Sequence, residues 1–121
     1  MTAALQQQLV ATGSPATVLD KLHREIGLTE RDIARATGAN ERSVRRWLGG
    51  ATMQTRSQER IDDLRATVLE LSEAMPPNVI VNWLRARNRA LGLDRPLDVL
   101  GEGEFRRVQN AIEALRSGEH V

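Results

Sequence analysis

Residues 29–50 constrain the fold of this chain more strongly than any other segment. Ile33 faces inward on a first short helix, and Val44 and Trp47 follow at i,i+3 spacing on a second. Between them, Gly38 stands where a tight turn needs a residue that tolerates positive φ. The segment therefore predicts two short helices joined by a tight turn, a helix-turn-helix.

The second helix of this motif carries its basic residues at positions that do not pack inward. Such a helix lies in the major groove of DNA and meets base edges and phosphates. We expect the contacts with operator DNA to come from Asn40, Arg42, Ser43, Arg45, Arg46 and, just beyond the motif, Arg56. The alternative, in which the arginines form only a solvated helix face, stays open at this stage because a motif needs its structural context.

The composition favours an all-α fold. The chain has no tyrosine, one phenylalanine and two tryptophans, so the aromatic residues that favour strands are nearly absent. It also has no cysteine, which excludes disulfides, thiolate metal sites and cysteine nucleophiles. We find neither a membrane-spanning apolar run nor a signal peptide in the sequence, and we expect a cytoplasmic protein.

Further helices are expected on both sides of the motif. Ser14 followed by Pro15 predicts a helix start, and Thr55 with Gln58 predicts a capping box at the start of a longer helix. The longer helix carries a heptad stripe of apolar residues, Ile61, Leu64, Val68, Leu71 and Met75. This stripe needs a partner helix, which is either another helix of the same chain or the same helix of a second subunit.

The remaining sequence predicts a second helical unit. We expect a helix from Pro76–Pro77 to Gly92, an extended segment over residues 95–100, and a last helix that closes at Gly118. These signals divide the chain into a flexible N-terminus (1–13), a helix-turn-helix domain (14–54) and a helical partner-binding domain (55–121).

The charge of the chain is weakly asymmetric. Residues 1–60 hold nine Lys or Arg and six acidic residues, whereas residues 61–121 hold eight and ten. One copy is too weakly basic to bind DNA tightly, so we expect a homodimer that places two copies of the motif on one operator. Residues spaced for catalysis or for metal binding are missing from the sequence, which predicts neither an enzyme nor a cofactor.

A second pattern lies in residues 82–118. It combines Trp83-Leu84, Asn88, Leu91, the Pro96-Leu97 pair with Leu100, and a closing Gly103-Glu-Phe-Arg-Arg-Val helix. This pattern resembles the C-terminal domain of the MbcA/ParS/Xre antitoxin family, and most of all its mycobacterial MbcA type. The helix-turn-helix resembles the N-terminal half of the same family, so the resemblance covers roughly residues 18–121.

The resemblance implies an antitoxin of a type II toxin-antitoxin system. Such a protein neutralises an NAD-degrading toxin of the RES type by covering its active-site cleft, and it represses its own promoter. The toxin contacts are expected from Trp83, Arg85, Arg87, Asn88, Arg89, Arg106 and Val121. Two structural interpretations stay open here. The tryptophan can be a core residue, and the arginines can form a solvated helix face. The alternative function is a free-standing transcription regulator without a toxin partner.

Overall fold

A computed structural model describes residues 14–118, which form seven α-helices and contain no β-strand. The helices are α1 (Pro15–Lys21), which continues as a π-helical turn (Leu22–Ile26), α2 (Glu30–Thr37), α3 (Glu41–Leu48), α4 (Thr55–Ser72), α5 (Pro77–Arg85), a 3₁₀ turn (Arg89–Leu91), α6 (Pro96–Gly101) and α7 (Phe105–Arg116). The all-α prediction is confirmed. None of the helices in this part of the chain is long and apolar enough to cross a membrane. The expected flexible segment 1–13 and the expected toxin contact of Val121 lie outside the described residues.

Local capping explains where the two helices of the motif begin and end. The Thr29 hydroxyl accepts the Asp32 N–H at 3.1 Å, and the Asp32 carboxylate accepts the Thr29 N–H at 2.9 Å, which is a complete capping box for α2. The helix ends at Gly38, which adopts φ +71°. The Asn40 side chain then caps α3 by accepting the Ser43 N–H at 2.8 Å. The structure confirms the predicted helix-turn-helix.

The start of α4 differs from the prediction. The expected Thr55/Gln58 capping box is wrong, because the Gln58 side-chain amide donates to the Met53 carbonyl at 3.1 Å instead. The N-cap residue, Gln54, makes no side-chain capping hydrogen bond.

The apolar stripe of α4 is covered by the chain itself. Helices α1, α2 and α7 all pack against α4. Four residues of the stripe are at most 1% exposed, namely Ile61, Leu64, Val68 and Leu71. A second subunit is therefore not needed to cover this stripe.

The elements after α5 also differ from the prediction. The helix expected to reach Gly92 ends before Ala86, whose backbone is extended, and Asn88 then caps the separate 3₁₀ turn. The segment expected to be extended is helix α6, because Pro96 stands at its first position, where proline favours a helix start, and Leu97 is buried in the core.

One hydrophobic core extends through both halves of the chain. Helix α2 packs directly on α6, and the backbones approach so closely that a Cβ on Gly101 would clash with the Arg35 carbonyl oxygen. A Cβ on Gly38 would likewise lie 2.9 Å from the Gly101 carbonyl oxygen. Glycine is needed at this contact because no larger residue fits between the two backbones. The predicted domain boundary between residues 54 and 55 thus does not separate two cores. That it separates a DNA-binding part from a partner-binding part stays a proposal.

Candidate functional site

Helix α3 separates its packing residues from its charged residues. Val44 and Trp47 are buried against the core. Arg42, Arg45 and Arg46 are all exposed. The 3.6-residue period of the helix places the apolar side chains on one side and the guanidinium groups on the solvent side. The predicted DNA-binding arginines are therefore available to a ligand.

Two of the predicted DNA contacts are also engaged within the fold. The Asn40 side chain is used to cap α3. Arg45 Nη1 lies 3.3 Å from Glu30 Oε1 on α2, in a pair whose side chains are 56% and 32% exposed. Exposed pairs of this kind contribute only about 0–1 kcal/mol, so a phosphate can replace the carboxylate. Arg42 and Arg46 form no ion pair within residues 14–118.

A polar cavity of about 490 Å³ lies between α3 and the start of α4. Its charged groups are Arg46 and Arg56, and no carboxylate is found among the described residues that line it. Hydroxyl groups of Ser43, Thr52 and Ser57 also line it, as does that of Thr37, which donates to the Ile33 carbonyl at 2.8 Å. Uncompensated guanidinium groups beside hydroxyl donors favour a phosphate or another anion. Of the predicted DNA contacts, this cavity brings together Ser43, Arg46 and Arg56.

Arg85 connects the two halves of the chain. Its Nε and Nη2 atoms donate to the two carboxylate oxygens of Asp32, at 2.9 and 2.6 Å. Burial alone would raise the pKa of the Asp32 carboxyl, but the hydrogen bonds from Arg85 and Thr29 outweigh burial and hold this pKa below its ordinary value. Arg85 thus has a structural role, and its contact with a toxin stays a prediction.

A second basic cluster surrounds this ion pair. Arg31 and Arg35 of α2 line a cavity of about 270 Å³ together with Arg85 and Asp32. These two arginines could not be predicted as part of a site from the sequence, because α5 meets α2 only in the tertiary fold. No spacing within the motif could have indicated the cluster.

The connection between α5 and α6, residues 86–95, holds three of the predicted toxin contacts, Arg87, Asn88 and Arg89. Asn88 is 5% exposed, and its backbone N–H donates to the Asp94 carbonyl at 3.1 Å while its carbonyl accepts the Leu93 N–H at 2.9 Å. Arg87 and Arg89 are exposed on the outside of this connection. The expectation that residues 85–89 belong to one helix is wrong, because the chain leaves the helix at Ala86. Asn88 shapes the connection from inside, and the two arginines face solvent.

The remaining predicted toxin contacts lie on neighbouring helices. Trp83 of α5 is half-buried and packs on the core, so a part of its ring is left for a partner. Arg106 is exposed at the start of α7. The adjacent Arg107 donates to the Leu91 carbonyl at 3.2 Å and so holds the 86–95 connection against α7.

The fold and these surfaces define a helix-turn-helix protein with a second helical unit packed against the motif. Residues 3–57 match the model of an Rv2258c-like winged helix-turn-helix domain. Residues 76–118 match the model described as the antitoxin Xre/MbcA/ParS C-terminal toxin-binding domain.

Known relatives extend both matches over most of the chain. The probable mycobacterial cidal antitoxin Rv3188 of Mycobacterium tuberculosis is 34% identical over 104 residues, which cover 86% of this chain and 89% of that protein. The mycobacterial cidal antitoxin MbcA of Mycobacterium bovis is 31% identical over 107 residues, covering 88% and 94%. A chain in the crystal structure of the M. tuberculosis MbcT–MbcA toxin–antitoxin complex superimposes with a TM-score of 0.73 and 28% identity, covering 91% of this chain and 100% of that one. The chain belongs to the Xre/MbcA/ParS antitoxin family, as its sequence pattern predicted.

Proposed function

We propose that this antitoxin neutralises an NAD-degrading toxin of the RES type by covering its active-site cleft. The similarity to a chain of the MbcT–MbcA complex carries this proposal, because it extends over nine-tenths of the chain, and residues 76–118 independently match a toxin-binding domain. We also propose that the helix-turn-helix unit represses the promoter of the antitoxin's own operon, in the cytoplasm and as a homodimer. The exposed arginines of α3 and the anion-binding cavity beside them support this second part.

The toxin surface can be tested by charge reversal in the 86–95 connection. Arg87 and Arg89 are exposed and form no ion pair within residues 14–118, so replacing both with Glu should leave the fold intact. The reversal should abolish toxin inhibition, because the new glutamates would be repelled by the acidic toxin groups that pair with the arginines across the interface. The measurement is NAD consumption by the purified toxin encoded beside this chain, with wild-type or variant antitoxin added.

A crossed control separates the two activities. The Arg42→Glu/Arg46→Glu variant changes the charge by the same amount, but on α3. It should lose promoter binding and keep toxin inhibition, whereas the Arg87→Glu/Arg89→Glu variant should do the opposite. Should the wild-type chain bind its promoter but not the toxin, the free-standing regulator becomes the better function. Should it bind the toxin without reducing NAD consumption, steric covering of the cleft is wrong.

The DNA surface can be tested through its salt dependence. Each lost phosphate contact lowers the slope of log K against log salt concentration by about 0.9. Replacing Arg46 and Arg56 with Ala removes both charged groups of the cavity beside α3. The double variant should therefore weaken promoter binding and reduce the slope by about 1.8 in gel-shift titrations at several salt concentrations. An unchanged slope would mean that this cavity does not hold DNA phosphates.

A further inference from the structure

Leu93 combines two properties that the fold alone does not require. Its side chain is 55% exposed, although it is large and apolar. Its backbone adopts φ +72°, and it is the one non-glycine residue within residues 14–118 with positive φ. In this left-handed conformation the Cβ of an L-residue crowds the following carbonyl oxygen, so leucine is disfavoured and glycine is not. The chain therefore holds a strained, exposed leucine where glycine would fit without strain.

The surrounding connection holds Leu93 in this conformation from several sides. The Leu93 N–H donates to the Asn88 carbonyl at 2.9 Å, and the Leu93 carbonyl accepts from Arg87 Nη1 at 3.4 Å. On the next residue, the Asp94 N–H donates to the Leu91 carbonyl at 3.1 Å. Because the buried Asn88 fixes this network, the leucine side chain is presented outward in a defined direction. Strain that the surroundings hold in place is typical of functional positions.

The position of Leu93 in the chain indicates its partner. Two large apolar side chains are exposed within residues 14–118, Val79 and Leu93, and both lie in the segment that matches the toxin-binding domain. The exposed Arg87 and Arg89 lie on the same connection. The nearest of these cations, Arg87, contacts the Leu93 backbone carbonyl, and the neighbouring Asp94 carboxylate is also exposed. An exposed leucine among charged groups of both signs fits an apolar recess with a polar rim. A side chain whose backbone is already fixed also loses less conformational entropy when a partner covers it.

We propose that Leu93 is the apolar anchor of the toxin-binding surface and enters an apolar recess on the toxin. This inference rests on the proposed function, since the toxin is the partner. A toxin-binding role and a structural role of Leu93 can be told apart by experiment. If Leu93 serves the fold, its removal should destabilise the protein. If Leu93 binds the toxin, its removal should lower the affinity for the toxin, while the stability stays the same or rises because the backbone strain is relieved.

The experiment compares three variants of the full chain. Leu93→Gly and Leu93→Asn both suit positive φ and remove the apolar side chain, whereas Leu93→Met keeps an apolar side chain of similar volume. The melting temperatures of Leu93→Gly and Leu93→Asn should be equal to that of the wild type or higher by up to about 5 °C. Their affinity for the toxin encoded beside this chain should fall by at least about thirtyfold, which corresponds to about 2 kcal/mol. Leu93→Met should bind within about threefold of the wild type.

Several outcomes would overturn the inference. Toxin binding by Leu93→Gly and Leu93→Asn within about threefold of the wild type would show that Leu93 is not an anchor. A lowered melting temperature in both would show that the side chain serves the fold. Loss of self-association with toxin binding intact, measured by sedimentation, would assign the leucine to a second copy of this chain. Failure of the wild-type chain to bind the toxin would instead overturn the proposed function, and the anchor with it.

Discussion

Removing the ion pair between Asp32 and Arg85 should weaken the attachment of the helix-turn-helix to the C-terminal unit. The two residues are 53 positions apart, yet they share two hydrogen bonds at 2.9 and 2.6 Å. Asp32 also completes the capping box at the start of α2. Replacing either residue with Ala should therefore lower the free energy of unfolding, and the two replacements should not be additive.

The size of the effect follows from the exposure of the two partners. Hydrogen bonds to charged groups contribute about 1.5–3 kcal/mol each, but the Arg85 side chain is 42% exposed and water replaces part of what is lost. We expect Arg85→Ala to cost about 2 kcal/mol, because it leaves the Asp32 carboxylate, whose side chain is only 8% exposed, without its cation. Asp32→Ala should cost about 3 kcal/mol, because it also removes the side-chain half of the capping box and leaves the Thr29 N–H without its acceptor. The double variant should cost about as much as Asp32→Ala alone, which gives a coupling energy of about 2 kcal/mol.

The assay is urea unfolding followed by circular dichroism, for the wild type, both single variants and the double variant. Arg87→Ala is the matched control, because that arginine is exposed and makes one long hydrogen bond of 3.4 Å; it should change stability by less than about 0.5 kcal/mol. A coupling energy below about 0.5 kcal/mol between Asp32 and Arg85 would refute the argument.

The pH dependence gives a second test of the same ion pair. The pKa of Asp32 is lowered in the folded protein, so the carboxylate stabilises the fold above its unfolded pKa of about 3.9. This contribution is lost as the pH falls through the lower, folded pKa. The difference in the free energy of unfolding between the wild type and Arg85→Ala should therefore be at its full size at neutral pH and become smaller below about pH 4. A difference that stays constant down to pH values well below this would mean that the ion pair does not depress the pKa.

Further predictions follow from the packing of the two halves. Gly101→Ala should lower the free energy of unfolding in urea by about 2–3 kcal/mol, because the new Cβ would clash with the Arg35 carbonyl oxygen. The control Gly49→Ala should be nearly neutral, since its Cβ would meet backbone oxygens at 3.5 Å, an ordinary contact distance. Equal effects of the two replacements would contradict this prediction. A fragment of residues 55–121 should unfold without a sharp transition, because its core is shared with α1 and α2, and a cooperative transition would show that it folds alone. Sedimentation should detect a dimer on operator DNA, and a strict monomer would remove the proposed homodimer.

The helix-turn-helix could be predicted from the sequence because its signals act over three or four residues. The capping box at Thr29, the left-handed Gly38 and the cap at Asn40 all depend on contacts with near neighbours in the chain. The burial of Val44 and Trp47 follows from helical periodicity in the same way. The family pattern in residues 82–118 likewise could be identified without coordinates.

Contacts between distant residues could not be predicted in this way. The heptad stripe was compatible with a partner helix from either chain, and only the assembled core shows that the same chain covers it. The partner of Arg85, the approach of Gly101 to Arg35 and the basic cluster around Asp32 all join residues from the two halves.

The all-α class, the helix-turn-helix and the family could be predicted from the sequence, because they depend on local spacing and residue type. Which of the predicted site residues are free to contact a partner depends on the tertiary fold. It ties Arg85 to Asp32, buries Asn88, and leaves Arg87 and Arg89 exposed. The 86–95 connection also holds Leu93 outward in a conformation that no local propensity favours. Hydrogen bonds and packing between segments far apart in sequence can thus outweigh the local preferences of a residue.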